Sequence, residues 1–208
     1  MERYIVEFPG AIPEDLCNRL IKKFENDTRK TKGVIGGENS KYIDEKIKKS
    51  MEIVIPLTTG WEQEDTELHK YTQKVVEKYI KYIVTDAFKE VDNKTIYADM
   101  MDHQYFDTGF SIQRIARGDA YAWHHDGLVT DGGRVCNILM YLNTLEEHEG
   151  GTTEFHDGTK IRPEIGKIVM FPSSWTFPHR GNVVNADYKY ICCGQLRVKL
   201  IPQCFENI

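Results

Sequence analysis

The 208-residue sequence has no apolar run approaching the roughly 18 residues that suggest a membrane-spanning helix, so no membrane association is expected. Its first residues, Met1-Glu2-Arg3-Tyr4-Ile5-Val6-Glu7-Phe8, carry charges throughout and lack the apolar stretch of a secretory signal, which leads to the expectation of a cytoplasmic protein. Cysteine is sparse: Cys17, Cys136, Cys192, Cys193 and Cys204 are odd in number and form no CxxC pair. That count argues against a disulfide framework and a thiolate zinc site, and for free thiols in a reducing compartment. There is no excess of positive charge either. With 27 Lys and Arg against 32 Asp and Glu the formal net charge is −5, so a surface built to grip nucleic acid is not expected. The 7 prolines and 16 glycines are scattered without repeats or low-complexity tracts, and 40% hydrophobic with 28% charged residues describes an ordinary folded chain.

What is present falls into two stretches. Pro13-Glu14-Asp15 starts a helix, with proline in its first turn and acids facing the positive end of the dipole. Leu16, Leu20, Ile21 and Phe24 repeat at helical spacing to about Asp27. Residues 28–50 are polar and lysine-rich, with Gly33, Gly36 and Gly37, and predict a long loop; within it, 30–50 is a candidate lid. Met51–Pro56 predicts a strand and Asp65 to about Phe88 a second, longer helix. Past about residue 95 short β-rich runs take over: Phe110–Ile115, Tyr121–His125, Val135–Asn143, Thr152–Phe155, Lys167–Phe171 and Tyr188–Val198. The expected fold is α+β, mainly β: a jelly-roll (double-stranded β-helix) core braced by N-terminal helices. No linker separates the halves, so 1–208 reads as a single domain, with 1–95 as helical support and lid region and 96–208 as core.

The chemistry concentrates in Tyr121-Ala122-Trp123-His124-His125-Asp126. Side chains at i and i+2 of a strand share a face, so His124 and Asp126 are expected to point inward and His125 away. A third ligand is needed from elsewhere, and His179, reached through Phe171-Pro172 and Trp175-Thr176-Phe177-Pro178, is the best candidate. Two imidazoles and a carboxylate on one face of an octahedral ion leave three positions open, the pattern of non-haem iron(II) oxygenases. His69, His103, His148 and His156 have no such company and read as bystanders.

The order of motifs around these residues resembles the 2-oxoglutarate and iron(II)-dependent dioxygenases of the prolyl 4-hydroxylase-like branch. The resemblance runs over about residues 110–200: Arg117-Gly118-Asp119-Ala120 before Tyr121, His124 and Asp126; Arg134 through Tyr141-Leu142-Asn143; Gly150-Gly151-Thr152-Thr153-Glu154-Phe155; Pro163, Gly166 and Phe171; and His179-Arg180-Gly181, with Lys189 ten positions after His179. It implies Fe(II), 2-oxoglutarate and O2 as cofactors, with ascorbate as a candidate addition, and hydroxylation of a C–H bond with release of succinate and CO2. It implies that Lys189 holds the far carboxylate of 2-oxoglutarate by a charge-assisted hydrogen bond, with Ile191, Cys193 and Gln195 on its face. It also implies that the Tyr141 phenol helps, the alternative being a core tyrosine. One departure is Arg114-Ile115, where relatives carry Arg-Tyr; losing that phenol makes the pocket more apolar.

Substrate identity is thinner. A prolyl residue in a protein or peptide is the first expectation, and a free amino acid or other small molecule the second. A nucleic-acid demethylase and a non-catalytic jelly-roll binding protein are the remaining alternatives. Tyr121, Trp123 and Trp175 are candidate substrate walls, with ordinary core packing the alternative for the tryptophans. Arg114 is a candidate substrate contact, with bracing of the sheet as its alternative.

Overall fold

A computed structural model describes residues 2–36, 41–87, 105–127 and 133–198. The first helix, α1, spans Glu14–Asn26. Pro13 supplies an extended N-cap, Glu14 and Asp15 fill the first turn, and Leu16, Cys17, Leu20 and Phe24 bury one stripe. The second helix, α2, spans Glu62–Tyr82, and its buried stripe includes Leu68, Val75, Val76, Tyr79 and Ile80. It does not run to Phe88 as a regular helix: Ile83–Ala87 form a π-helical turn. The expected boundary at 95/96 lies outside the described residues.

The strands are β1 (Val6–Phe8), β2 (Thr31–Lys32), β3 (Met51–Val54), β4 (Tyr105–Asp107), β5 (Ser111–Ala116), β6 (Tyr121–His124), β7 (Arg134–Tyr141), β8 (Thr153–Phe155), β9 (Lys160–Ile161), β10 (Ile168–Pro172), β11 (His179–Gly181) and β12 (Tyr188–Val198). They form two antiparallel sheets. The larger has the order β1-β10-β7-β12-β5-β3-β2 with β4 also paired to β12, and the smaller β6-β11-β8-β9. The chain is thus mostly β with two α-helices and antiparallel sheets among the described residues. No helix among them is long and apolar enough to cross a membrane.

The period of two decides what each face of the large sheet does. Ile112, Cys136, Met140, Tyr190 and Cys192 join α1 and α2 in the main apolar core. Gln113, Ile115, Leu139, Lys189, Ile191, Cys193 and Gln195 border a cavity that residues of the small sheet also line. Cys17, Cys136, Cys192 and Cys193 are free thiols, and burial pushes Cys17 up to about 11 and Cys136 to about 12, so both stay protonated at neutral pH. Cys204 lies outside the described residues.

The described part of segment 28–50, read from composition as a loop, is more structured than that. Thr31–Lys32 pairs with β3, Ile35 bridges Tyr42, and Lys48 bridges Tyr121 at the edge of the small sheet. Polar composition hid this because such edge strands are short and bury little apolar surface. One turn is over-determined: Gly166 holds φ +78°, donates to the Tyr141 carbonyl (2.9 Å) and accepts from Ile12 N–H (3.0 Å). A Cβ there would collide with the Ile12 carbonyl oxygen. Gly166→Ala is therefore expected to lower stability by roughly 1–3 kcal/mol, read as a reduced denaturation midpoint. An unchanged midpoint would show that the turn relaxes freely.

Candidate metal and cosubstrate site

His179 and His124 are directly opposed partners on β11 and β6, which turns both imidazoles to the same face of the small sheet with ring centroids 4.2 Å apart. The carboxylate does not come from the strand. β6 ends at His124, and Asp126 sits in the bend that follows. That bend is held from behind: Arg134 Nη1 donates to the Asp126 carbonyl (2.9 Å) and Gly127 N–H donates to the Ser173 carbonyl (2.6 Å). A side chain at 127 would put its Cβ 2.5 Å from the same Ser173 oxygen, so glycine is what permits the approach. His125, expected to face away from the site, is exposed and borders the cavity mouth instead; it is outside the cluster because the chain bends there rather than continuing as a strand.

His124 Nε2 lies 3.9 Å from Asp126 Oδ1, and His179 Nε2 lies 3.5 Å from Asp126 Oδ2. Among the described residues these three are the one group whose ligand atoms lie within 4.8 Å of one another. Both imidazoles point their other nitrogen at a carbonyl: His124 Nδ1 at Ala122 O (2.8 Å) and His179 Nδ1 at Phe177 O (3.2 Å). A carbonyl only accepts, so each Nδ1 carries a proton, which leaves Nε2 of the neutral ring as the atom with a lone pair for the shared space. Burial, then the neighbouring His179, depresses the His124 pKa to about 4, while Asp126 opposes the fall; the ring is neutral at physiological pH. The spans of 3.5 and 3.9 Å are ones that a single ion with ligand bonds of about 2.0–2.2 Å can bridge. Two neutral nitrogens and a carboxylate oxygen suit a divalent first-row ion.

The triad opens onto a cavity of about 420 Å³, within the range of about 300–1,000 Å³ usual for small-molecule sites. On the opposite wall Lys189 is 4% exposed and donates from Nζ to the Gly151 carbonyl (2.6 Å). Burial lowers its pKa to about 8. Around it are Ile115, its direct partner across β5–β12, with Val184 and Ile191. The side chain of Ile115 packs with Leu145, Val184 and Ala186, so this end of the cavity is apolar apart from the ammonium. Ile191, Cys193 and Gln195 share the wall with Lys189. Tyr141 lies beside Lys189, its ring centroid 5.4 Å from Nζ, but its hydroxyl donates to Thr153 Oγ1 (2.7 Å), and Thr153 rather than Tyr141 borders the cavity.

Residues 110–197 match the family described as the 2OG-Fe(II) oxygenase superfamily. The chain is similar to that superfamily over this stretch, which holds His124, Asp126, His179 and Lys189. It is accordingly a 2-oxoglutarate-dependent dioxygenase whose cofactors are Fe(II), 2-oxoglutarate and O2. Among solved structures, the oxygenase is similar to a viral collagen prolyl hydroxylase of Paramecium Bursaria Chlorella virus-1 in its 2OG complex (19% identity, 95% of this chain and 97% of that chain, TM-score 0.63). A prolyl-4-hydroxylase of Pseudomonas putida gives 16%, 95%, 94% and 0.62. A prolyl hydroxylase of Trichoplax adhaerens, in complex with a hypoxia inducible factor oxygen degradation domain peptide fragment, gives 15%, 94%, 84% and 0.69. At these identities the likeness is one of fold. No curated protein sequence matches the chain.

Three of the expected substrate contacts are not brought to the cavity wall. Arg114 pairs with Glu25 of α1 (2.9 Å) and lies over the Tyr188 ring, because even-numbered positions of β5 face the helices. Trp123 is 46% exposed and stacks under Arg180 on the outer side of β6, and Trp175 is 71% exposed. Tyr121 does line the cavity, its ring stacked 3.6 Å from that of His124. Missed from sequence were Lys48, Ser50, Gln113, Asn137 and Thr153 on the cavity wall. The spacing of Lys48, Ser50 and Glu52 at i, i+2 and i+4 running into β3 was the available signal.

Proposed function

We propose that this oxygenase hydroxylates a prolyl residue in a peptide or protein, releasing succinate and CO2, from a single jelly-roll domain. The observation that carries the reading is the convergence of His124, Asp126 and His179 with a buried Lys189 in one cavity, in a chain whose fold is that of prolyl hydroxylases. On this reading the three residues hold Fe(II), and Fe(II) with 2-oxoglutarate supplies the oxidising chemistry that puts one oxygen atom of O2 into the substrate and the other into succinate.

The chain's own part is to bind, orient and exclude water. Lys189 takes the far carboxylate of 2-oxoglutarate, where the surrounding Ile115, Val184 and Ile191 keep water out and strengthen the charged contact. Ala122 and Phe177 carbonyls fix the tautomer and tilt of the two imidazoles. No side chain is required as a general acid or base. The mouth bordered by Val34, Ile35 and His125 is where a peptide segment would enter.

Incubation with Fe(II), 2-oxoglutarate and ascorbate is expected to give slow succinate release that proline-containing peptides accelerate, with a one-oxygen mass gain on a prolyl residue. Succinate release that responds only to free amino acids or other small molecules would overturn the prolyl assignment and leave the oxygenase intact.

A further inference from the structure

The described part of segment 41–50 does more than border the cavity. Its Ile47 carbonyl accepts the Ala122 N–H (2.8 Å), and the Ala122 carbonyl in turn accepts the His124 Nδ1–H (2.8 Å). Next to this backbone relay runs a side-chain one. Lys48 Nζ lies 5.3 Å from the centroid of the Tyr121 ring, and that ring lies flat on the His124 imidazole, 3.6 Å away at 13°. Lys48 is itself pinned. It pairs with Glu52 at 2.6 Å, both side chains being less than a tenth exposed, and Ser50 Oγ donates to the same Glu52 oxygen (2.7 Å). Gly33 closes the cradle: its N–H donates to the Ser50 carbonyl, and a Cβ there would run into Ser50 Oγ and Glu52 Oε1.

An ion pair this buried is costly to form and weak evidence of a stabilising role. What it does fix is the place of one cation. An ammonium over the face of an aromatic ring holds that ring by its quadrupole, and here the same ring is stacked on an imidazole.

We propose that Lys48 is a positioning residue for the metal site, holding Tyr121 flat against His124 so that Nε2 keeps its aim at the ion. The inference rests on the reading of His124 as a ligand. It gives Tyr121 a role other than substrate contact, and it makes the edge segment part of the metal centre's support. Groups that orient a metal-ligating histidine from behind commonly change metal affinity by about 10–100-fold when removed.

The test uses the full chain loaded with Co(II), reading the visible absorption bands of the ion and its dissociation constant. Lys48→Met is expected to weaken Co(II) binding about tenfold and shift the bands. Lys48→Arg, which keeps the cation over the ring, restores both, and Tyr121→Leu reproduces the Lys48→Met spectrum. Because Lys48→Met leaves Glu52 buried without its partner, the double variant Lys48→Met/Glu52→Gln is measured alongside; it is expected to show the same spectral shift. Bands and affinity unchanged in Lys48→Met and in the double variant, with binding lost in His124→Ala, would overturn the positioning role alone. Full Co(II) affinity in His124→Ala would remove the ligand assignment and the inference with it.

Discussion

Divalent-metal binding is expected to fall by more than about a hundredfold in Asp126→Ala and in His179→Ala, a loss larger than that of an orienting partner because a bond to the ion itself is removed. Asp126 is the more severe case. It contributes the one negative charge of the triad, and both histidine Nε2 atoms converge on its carboxylate at 3.5 and 3.9 Å. Without it, two neutral imidazoles remain, a donor set with no charge to offset that of a dication. His125→Ala is the control: exposed at the cavity mouth, it should keep most of the affinity. Calorimetry with Mn(II) reads all three variants. Equal losses at His125 and Asp126 would overturn the assignment of Asp126, rather than His125, as the ligand from the bend after β6.

Lys189→Met is the second large effect. A carboxylate brought to this apolar end of the cavity has, with the ammonium gone, no cation left on the Ile115–Val184–Ile191 wall, and breaking a buried charge pair in this way costs about 3–5 kcal/mol. That corresponds to a loss in 2-oxoglutarate affinity of roughly a hundredfold to several thousandfold. The wild-type pH dependence follows from the same burial. Below about pH 8 the empty protein already carries the proton that the bound dicarboxylate requires; above it Lys189 is neutral and binding must take up a proton. Affinity is therefore flat below pH 8 and falls by up to about tenfold per unit above it. Titration of the Mn(II)-loaded protein in buffers of different ionisation enthalpy measures both the affinity and the proton uptake. An affinity independent of pH between 7 and 10 would place the carboxylate elsewhere.

The readable parts of the sequence were those where one local rule decided the outcome. α1 begins and ends within a residue of its capping pattern, and β12 matches its expected span, because periodicity and punctuation agree there. The alternation along β12 also put Lys189, Ile191, Cys193 and Gln195 on one wall. Elements that depend on distant partners were invisible: β11 is three residues long and is a strand only because β6 and β8 flank it. The reading of His124 and Asp126 as neighbours on one strand face named two residues that do lie together, but by an incomplete argument, since the bend carrying Asp126 is held by Arg134 and Ser173 rather than by the pleat. Arg114 shows the limit from the other side. A charged residue in the middle of a strand looks functional until its partner, Glu25 on a helix far away in the chain, is known.

The two adjacent cysteines of β12 make the strand's double duty concrete. Cys192 is buried in the helix-facing core, while Cys193 borders the cavity, its thiol pushed up to about 12 by burial. By parity Tyr190, Cys192 and Leu196 belong to the helix-facing core and Lys189, Ile191, Cys193 and Gln195 to the cavity, two unrelated surfaces, one judged by packing and the other by chemistry. A single residue inserted between Tyr188 and Lys189 would exchange the two sets at a stroke, sending the ammonium among the helices and Tyr190 into the reaction chamber. The strand is free to vary in what it says on each surface, but not in how many letters it uses.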